Sequence, residues 1–153
     1  MEKINKFKKL FNFLDLDGYI VPKNDEFFSE YIPKFKDRLQ FITNFSGSYG
    51  FAIILKNKNF LFVDGRYTLQ AKIQSGKKFK VKTKPKKFPY NKFKKKELKI
   101  GFDPKLHTNH NLKTIFRKSF CKLVPINQNL IDKIWLKKNS FRANKFYVLP
   151  SQA

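Results

Sequence analysis

The amino-acid sequence predicts an α/β domain with a mixed β-sheet flanked by helices. Segments with apolar residues at helical spacing alternate along the chain with short, nearly continuous apolar runs, which are typical of buried strands. Two of these runs, at 51–55 and 60–63, have only the polar stretch KNKN between them. That spacing indicates a hairpin within a sheet whose other strands are connected by helices.

The first half of the chain begins with a predicted amphipathic helix, whose apolar positions are Ile4, Phe7, Leu10, Phe11 and Leu14. Residues 18–21 follow as a short buried strand that we expect to stop at Pro22. We expect a loop over 23–34, a short helix over 36–43 and a turn at 45–50 before the hairpin. Asp64 then lies where its side chain can cap a helix over 66–75.

The second half continues the alternation. Residues 79–83 alternate apolar residues with Lys, which predicts a strand with one packed and one solvated face. The remaining predicted elements are a short helix near 90–96, a strand at 99–102, a helix marked by Leu112, Ile115, Phe116 and Phe120, a strand at 121–126 and a helix at 130–135. Residues 137–153 lose this periodicity. We therefore predict one domain over residues 1–136 and a linker or tail over 137–153.

The composition excludes several protein classes. The 153 residues are 41% hydrophobic and 17% aromatic, which suffices for one packed core. No apolar run is long enough to span a membrane, and the N-terminus lacks the apolar stretch of a signal peptide, so a cytoplasmic location is expected. The single cysteine, Cys121, excludes an internal disulfide framework and a cysteine-built zinc site.

The net charge of +23 is uneven along the chain. Residues 1–76 carry 12 basic and 8 acidic groups, whereas residues 77–153 carry 22 basic and 3 acidic groups. One interpretation is a basic module that binds an anionic partner, either nucleic acid or a membrane surface. The other is a nucleotide bias of the genome, because Lys, Asn, Phe and Ile all have A/T-rich codons. Only 4 of the 34 basic residues are Arg, so specific nucleic-acid recognition is not expected.

Five segments resemble the N-terminal domain of Xaa-Pro aminopeptidases, which are metallopeptidases related to creatinase and prolidase. They are DGYIVPKNDEFFSEYIP (17–33), FSGSYGFAIIL (45–55), FVDGRYTLQA (62–71), IGFDPKLHT (100–108) and LVPINQNLIDKIW (123–135). The resemblance implies a ribonuclease-H-like creatinase N-terminal fold. It also implies that this chain is the non-catalytic part of an enzyme that removes a residue preceding proline, truncated or split from its metallopeptidase domain.

The catalytic centre of that family lies in the following domain and holds two metal ions, usually manganese, on Asp, His and Glu side chains. After residue 76 this chain has only Glu97, Asp103 and Asp132 as acids, and His107 and His110 are spaced as a weak metal motif that could share a helical face. We therefore expect no catalytic residue, metal ligand or cofactor in this chain, and no activity of the chain alone. The expected partners are a downstream peptidase domain or a separate catalytic chain, and the resemblance allows a homodimer.

Three places are candidates for substrate binding or for a domain interface. Arg66 and Tyr67 lie at a strand-to-helix junction, where Arg66 can bind a carboxylate of a peptide or partner domain, or form an internal ion pair with Asp64, Asp17 or Asp103.

The second candidate is the turn containing Phe45, Ser46 and Ser48. By resemblance it contributes to a wall of the neighbouring active site, and otherwise it is a plain connecting loop. The third is the acidic loop with Asp25 and Glu26, which either binds a cationic group or docks the next domain, or is simply solvated.

Overall fold

The computed structural model describes residues 2–83, 97–117 and 119–136. In chain order the elements are α1 (Glu2–Phe13), β1 (Gly18–Pro22), α2 (Arg38–Thr43), β2 (Gly50–Leu55), β3 (Asn59–Val63), α3 (Thr68–Ser75), β4 (Lys80–Lys82), β5 (Leu98–Phe102), α4 (Asn109–Ile115), β6 (Cys121–Pro125) and α5 (Leu130–Ile134). Short 3-10 turns precede or follow the helices in the chain, at Lys34–Lys36, Gly65–Tyr67, Gly76–Lys78 and Pro104–Leu106.

The strands of the described residues form one mixed sheet in the order β4-β3-β2-β1-β5-β6. Strand β2 runs antiparallel to both of its neighbours, β1 and β3, while the β3–β4, β1–β5 and β5–β6 pairs are parallel. Strand β2 therefore starts at the edge of the sheet where the other strands end. This reversal brings the segment before β2 together with the segments after β1 and β3.

Both faces of the sheet are covered, so the strands are apolar on both sides. On one face, side chains such as Tyr19, Val21 and Ile54 pack with α1, α2, α3 and α5 around the buried rings of Phe7 and Phe11. The alternate strand positions, including Ile20, Ile53 and Phe62, pack on the other face against α4. The near-continuous hydrophobic runs of the sequence follow from this double burial.

Side-chain caps fix where the helices begin. The carboxylate of Asp37 accepts a hydrogen bond from the backbone N–H of Gln40 at the start of α2, and Asn129 accepts one from Ile131 at the start of α5. Asp64 accepts a hydrogen bond from the N–H of Arg66, which begins the 3-10 turn leading into α3. The predicted cap at Asp64 is thus confirmed.

Most predicted elements are present, and the differences have local causes. The predicted β2–β3 hairpin is confirmed, with Phe51 paired to Phe62 across it. Strand β1 continues through Pro22 instead of stopping before it. The prediction that Phe120 belongs to the α4 face was wrong, because α4 ends at Ile115 and the Phe120 side chain is exposed.

Two predictions concern residues outside the described part, namely the short helix near 90–96 and the linker over 137–153. The expectation that His107 and His110 share a helical face was wrong. His107 follows the 3-10 turn Pro104–Leu106, while His110 lies in α4.

Candidate functional site at the carboxyl edge of the sheet

The candidate residues predicted from the sequence all lie at one edge of the sheet. The loop with Asp25 and Glu26 follows β1, the turn at 45–48 precedes β2, and the Arg66 segment follows β3. Register confirms this common edge, because Gly50 pairs with Val63 at the end of β3 and Phe51 pairs with Pro22 at the end of β1. Ligand sites of α/β sheets concentrate at this carboxyl edge.

The turn before β2 and the segment after β3 are in direct contact. The Ser48 hydroxyl and the Tyr67 phenol oxygen are 2.7 Å apart and share a hydrogen bond. The Tyr67 ring also meets the ring of Phe45 edge-on, with centroids 5.8 Å apart, and Phe45 is fully buried. A buried ring thus anchors a small polar surface made by one serine and one tyrosine.

Helix α3 holds the other serine of this turn. The side chains of Gln70 and Gln74 donate hydrogen bonds to the Ser46 hydroxyl at 3.0 and 2.9 Å. The Ser46 backbone N–H donates in return to the Gln74 side-chain oxygen at 2.9 Å. Next in the chain, a Cβ added at Gly47 would come within 2.2 Å of the Phe45 ring, so the turn folds tightly over that ring.

Arg66 lies on the exposed side of the same cluster. Its Nε donates to the Asp64 carboxylate at 3.1 Å, and its guanidinium lies 5.6 Å from the Tyr67 ring centroid. Of the three carboxylates considered from the sequence, the structure pairs it with Asp64. The Arg66 side chain remains 77% exposed, so most of the guanidinium is still accessible to a second anion.

The two carboxylates of the acidic loop already have partners within the domain. Asp25 is buried, and its Oδ1 accepts hydrogen bonds from the backbone N–H groups of Phe27 and Ser29 at 3.0 and 2.9 Å. It therefore shapes the loop. Glu26 forms salt bridges with Lys36 at 2.9 Å and with Arg38 at 2.8 Å.

Arg38 is the centre of this ion-pair network. Its side chain is 4% exposed and binds the Asp132 carboxylate through Nε and Nη2, at 3.1 and 2.8 Å. Burial would by itself raise the pKa of Glu26, but hydrogen bonds from Lys36 and Arg38 outweigh it and lower the pKa to about 2. The network joins the acidic loop, α2 and α5.

The sequence reasoning missed this network and a neighbouring pair. Lys23, at the end of β1, makes a 2.5 Å salt bridge with Asp37, and both side chains are less than a tenth exposed. Because arginine is scarce in this lysine-rich chain, Arg38 could have been singled out from the sequence. A planar guanidinium binds two buried carboxylates better than a lysine ammonium does. The partners of Arg38 are 12 and 94 residues away in sequence, so no local pattern identifies them.

A small cleft of about 150 Å³ opens beside the start of β2. Its lining includes Asn24, Tyr49, His107 and Asn111. The His107 side chain is buried, neither ring nitrogen has a hydrogen-bond partner, and burial lowers its pKa to about 4. The imidazole is therefore neutral at physiological pH.

The described residues do not fit a two-metal centre. Within residues 2–83, 97–117 and 119–136, no three His, Cys, Asp or Glu side chains come together in a way that could hold a metal ion. None of the helices in these ranges is long and apolar enough to cross a membrane. What the edge offers is hydrogen-bonding groups, aromatic rings and one exposed guanidinium, which suit contact with a peptide or protein surface.

Comparison with known proteins agrees with an α/β domain of this kind. Residues 3–134 match the model of the creatinase/prolidase N-terminal domain. A probable Xaa-Pro aminopeptidase P of Laccaria bicolor is 33% identical over 143 residues, which is 88% of this chain and 22% of that protein.

Two solved structures show the same fold. The X-prolyl aminopeptidase of Caenorhabditis elegans, described as a cytosolic enzyme with a di-nuclear active site, superposes with a TM-score of 0.75 at 28% identity, over 88% of this chain and 25% of that one. The N-terminal domain of the cytoplasmic peptidase PepQ from Mycobacterium tuberculosis superposes with a TM-score of 0.66 at 19% identity, over 88% of this chain and 98% of that one.

The chain belongs to the creatinase/prolidase N-terminal domain family, and its relatives include Xaa-Pro aminopeptidases. It spans about a fifth of the length of the curated relatives, 22% for the Laccaria protein. The fold class and the family expected from the sequence are both confirmed.

Proposed function

We propose that this domain is the non-catalytic N-terminal domain of an Xaa-Pro aminopeptidase and forms part of the wall that guides a peptide to the active site. The observation that carries the proposal is the match over residues 3–134 to a domain that makes up only about a fifth of its relatives. In this proposal catalysis takes place in another domain. That domain would hold two metal ions, manganese by resemblance, and act in the cytoplasm.

The carboxyl edge of the sheet is the part of the domain that we assign to this wall. The Ser48–Tyr67 pair offers a hydroxyl to a passing peptide group, with Phe45 and Ser46 fixing the turn behind it. Arg66 offers its exposed guanidinium to a peptide carboxylate or to an acid of the catalytic domain. Asp25 and Glu26 act indirectly, by shaping the loop that borders this surface.

The same relatives suggest the organisation of the working enzyme. In this proposal residues 1–136 are the domain and 137–153 lead to the catalytic domain, which lies in the same chain or in a separate one. The end of the family match at residue 134 supports that boundary. A homodimer would place the edge of one subunit beside the active site of the other.

The first test is an activity assay on the isolated 153-residue chain. We expect no release of the first residue from an Xaa-Pro peptide in the presence of manganese, because the described residues hold no two-metal site. Turnover that requires the metal and stops on chelation would refute the non-catalytic assignment.

The second test uses a chimera in which this domain replaces the N-terminal domain of the Laccaria bicolor relative. Ser48→Ala removes one neutral hydrogen bond at the wall, so we expect KM to rise about 3- to 10-fold with little change in kcat. Lys113→Ala, an exposed change on α4, is the matched control and should leave KM unchanged. An unchanged KM for Ser48→Ala, or the same change for both variants, would contradict the role given to this edge.

A further inference from the structure

A second cleft lies at the opposite edge of the sheet, where β2 ends and β3 and β4 begin. It has a volume of about 350 Å³, and its polar lining consists of Lys58, Lys77, Lys78, Lys80, Asn57 and Asn59. Four lysine side chains thus line one cleft, and none of the described residues in its lining carries a carboxylate. The edge with Ser48 and Tyr67 is at the other end of the strands, so the two places are distinct.

Hydrogen bonds connect the two walls of this cleft, which are the β2–β3 turn and the segment that leads into β4. The Asn59 side chain donates a 2.9 Å hydrogen bond from Nδ2 to the carbonyl oxygen of Lys78. Phe60 pairs with Lys80 in the parallel β3–β4 ladder, and the N–H of Leu55 donates to the Lys58 carbonyl at 2.8 Å across the hairpin turn. The lysine stems therefore start from fixed backbone positions.

Three of the four lysines that line the cleft, Lys77, Lys78 and Lys80, form no salt bridge within the described part of the chain. All 11 acidic residues lie in that part of the chain. Burial, and in addition the charge of Lys78, lower the pKa of the neighbouring Lys3. A bound anion would relieve this repulsion.

We propose that this cleft binds a polyphosphate group, meaning a short chain of phosphoryl groups either free or carried by a larger molecule. Ammonium groups bind phosphate oxygens as point charges, and several of them around a recess suit a multivalent anion. Phe60, the aromatic residue among the described lining residues, is 1% exposed, so these lining residues present no ring on which a nucleobase can stack. This favours the phosphate chain over a single-stranded nucleic acid.

The sequence extends the charge beyond the cleft. Residues 84–96, which begin two positions after the end of β4, contain seven further Lys and no acid. The basic second half of the chain thus begins at this cleft. The proposal concerns only the lysines that line the cleft, and it stands apart from the peptidase role, so either can fail without the other.

The test is calorimetric titration of the full chain with inorganic tripolyphosphate at low salt. The triple variant K77Q/K78Q/K80Q should raise Kd at least about tenfold relative to the unaltered chain, because three of the four ammonium groups of the cleft are removed. The control K113Q/K122Q/K133Q removes the same number of charges from exposed positions on α4, β6 and α5, and should change Kd less than about twofold. Circular dichroism checks that each variant is folded.

A third variant, K77R/K78R/K80R, separates charge from packing and should keep most of the affinity. Vesicles containing phosphatidic acid form a parallel arm that distinguishes a free phosphate chain from a lipid headgroup. The proposal is overturned if the unaltered chain shows no saturable binding of tripolyphosphate, or if both Gln triples lose affinity equally, which would indicate only diffuse charge. Binding to the vesicles without binding to tripolyphosphate would also overturn it.

Discussion

Replacing Arg38 by Gln should destabilise the domain markedly, because one buried side chain holds two carboxylates. The guanidinium is 4% exposed and donates three hydrogen bonds, two to Asp132 and one to Glu26. Its removal leaves two carboxylates close to each other without their common cation. The acidic loop, α2 and α5 would lose their shared contact.

The magnitude follows from the burial of the partners. Removing one member of a buried ion pair costs about 3–5 kcal/mol. Glu26 and Asp132 have side chains that are 27% and 34% exposed, so water can hydrate them, and Glu26 keeps its salt bridge with Lys36. We therefore expect the lower end, about 3 kcal/mol. With a urea slope of about 2 kcal/mol per M, the midpoint should fall by about 1.5 M.

Urea unfolding followed by the fluorescence of Trp135, the single tryptophan, measures this change. Arg66→Gln is the matched control, because it breaks an exposed pair with Asp64 and should cost less than about 1 kcal/mol. Arg38→Lys should fall between the two, since it keeps the charge and loses the fork. Equal stability losses for Arg38→Gln and Arg66→Gln would refute the assigned importance of burial.

The same network predicts an acid dependence. The pKa of Glu26 is lowered from 4.5 to about 2 in the folded state, so its contribution to stability is present above about pH 4.5 and disappears as the pH falls towards 2. In Arg38→Gln the pKa of Glu26 should move back up, and stability should fall less steeply through this window. An unchanged pH dependence would show that Arg38 does not set this pKa.

Two further predictions concern a tight turn and a buried polar group. Gly47→Ala should destabilise by about 1–3 kcal/mol, because the added Cβ meets the buried Phe45 ring, whereas Gly65→Ala, which has open space, should be near neutral in the same urea experiment. His107→Leu should raise the free energy of unfolding at pH 7 by about 1 kcal/mol, since it replaces an unpartnered buried imidazole. Burial lowers the pKa of His107 from 6.5 to about 4, so between these pH values the unfolded chain binds a proton that the folded domain does not. The stability of the unaltered chain should therefore fall as the pH drops from 6.5 to 4. Thermal melts of His107→Leu should lack that fall.

The sequence predicted the elements that depend on local pattern. The β2–β3 hairpin followed from two apolar runs around a polar turn, and the start of α3 followed from the capping position of Asp64. The end of α4 was misjudged because Phe120 continues the apolar spacing after the helix has stopped at Ile115. Periodicity alone does not distinguish a last helical turn from the connection that follows it.

Only the locally encoded parts of the candidate site could be predicted from the sequence. The sequence identified the turn at 45–48 and the segment at 66–67, but not that the Ser48 hydroxyl meets Tyr67. That contact depends on β2 running against its neighbours, which places the two segments at one edge. Long-range partners such as Arg38 and Asp132 arise from the tertiary fold and have no local signature.

The order of the strands also has a consequence for how the domain assembles. Strands β1 to β4 are contiguous in the chain and form one half of the sheet, and β5 and β6 form the other half. The halves meet between β1 and β5, where only two residue pairs are in register, compared with five between β1 and β2. The first half can therefore form from nearby contacts, and the second half then docks on it through β5, α4 and α5.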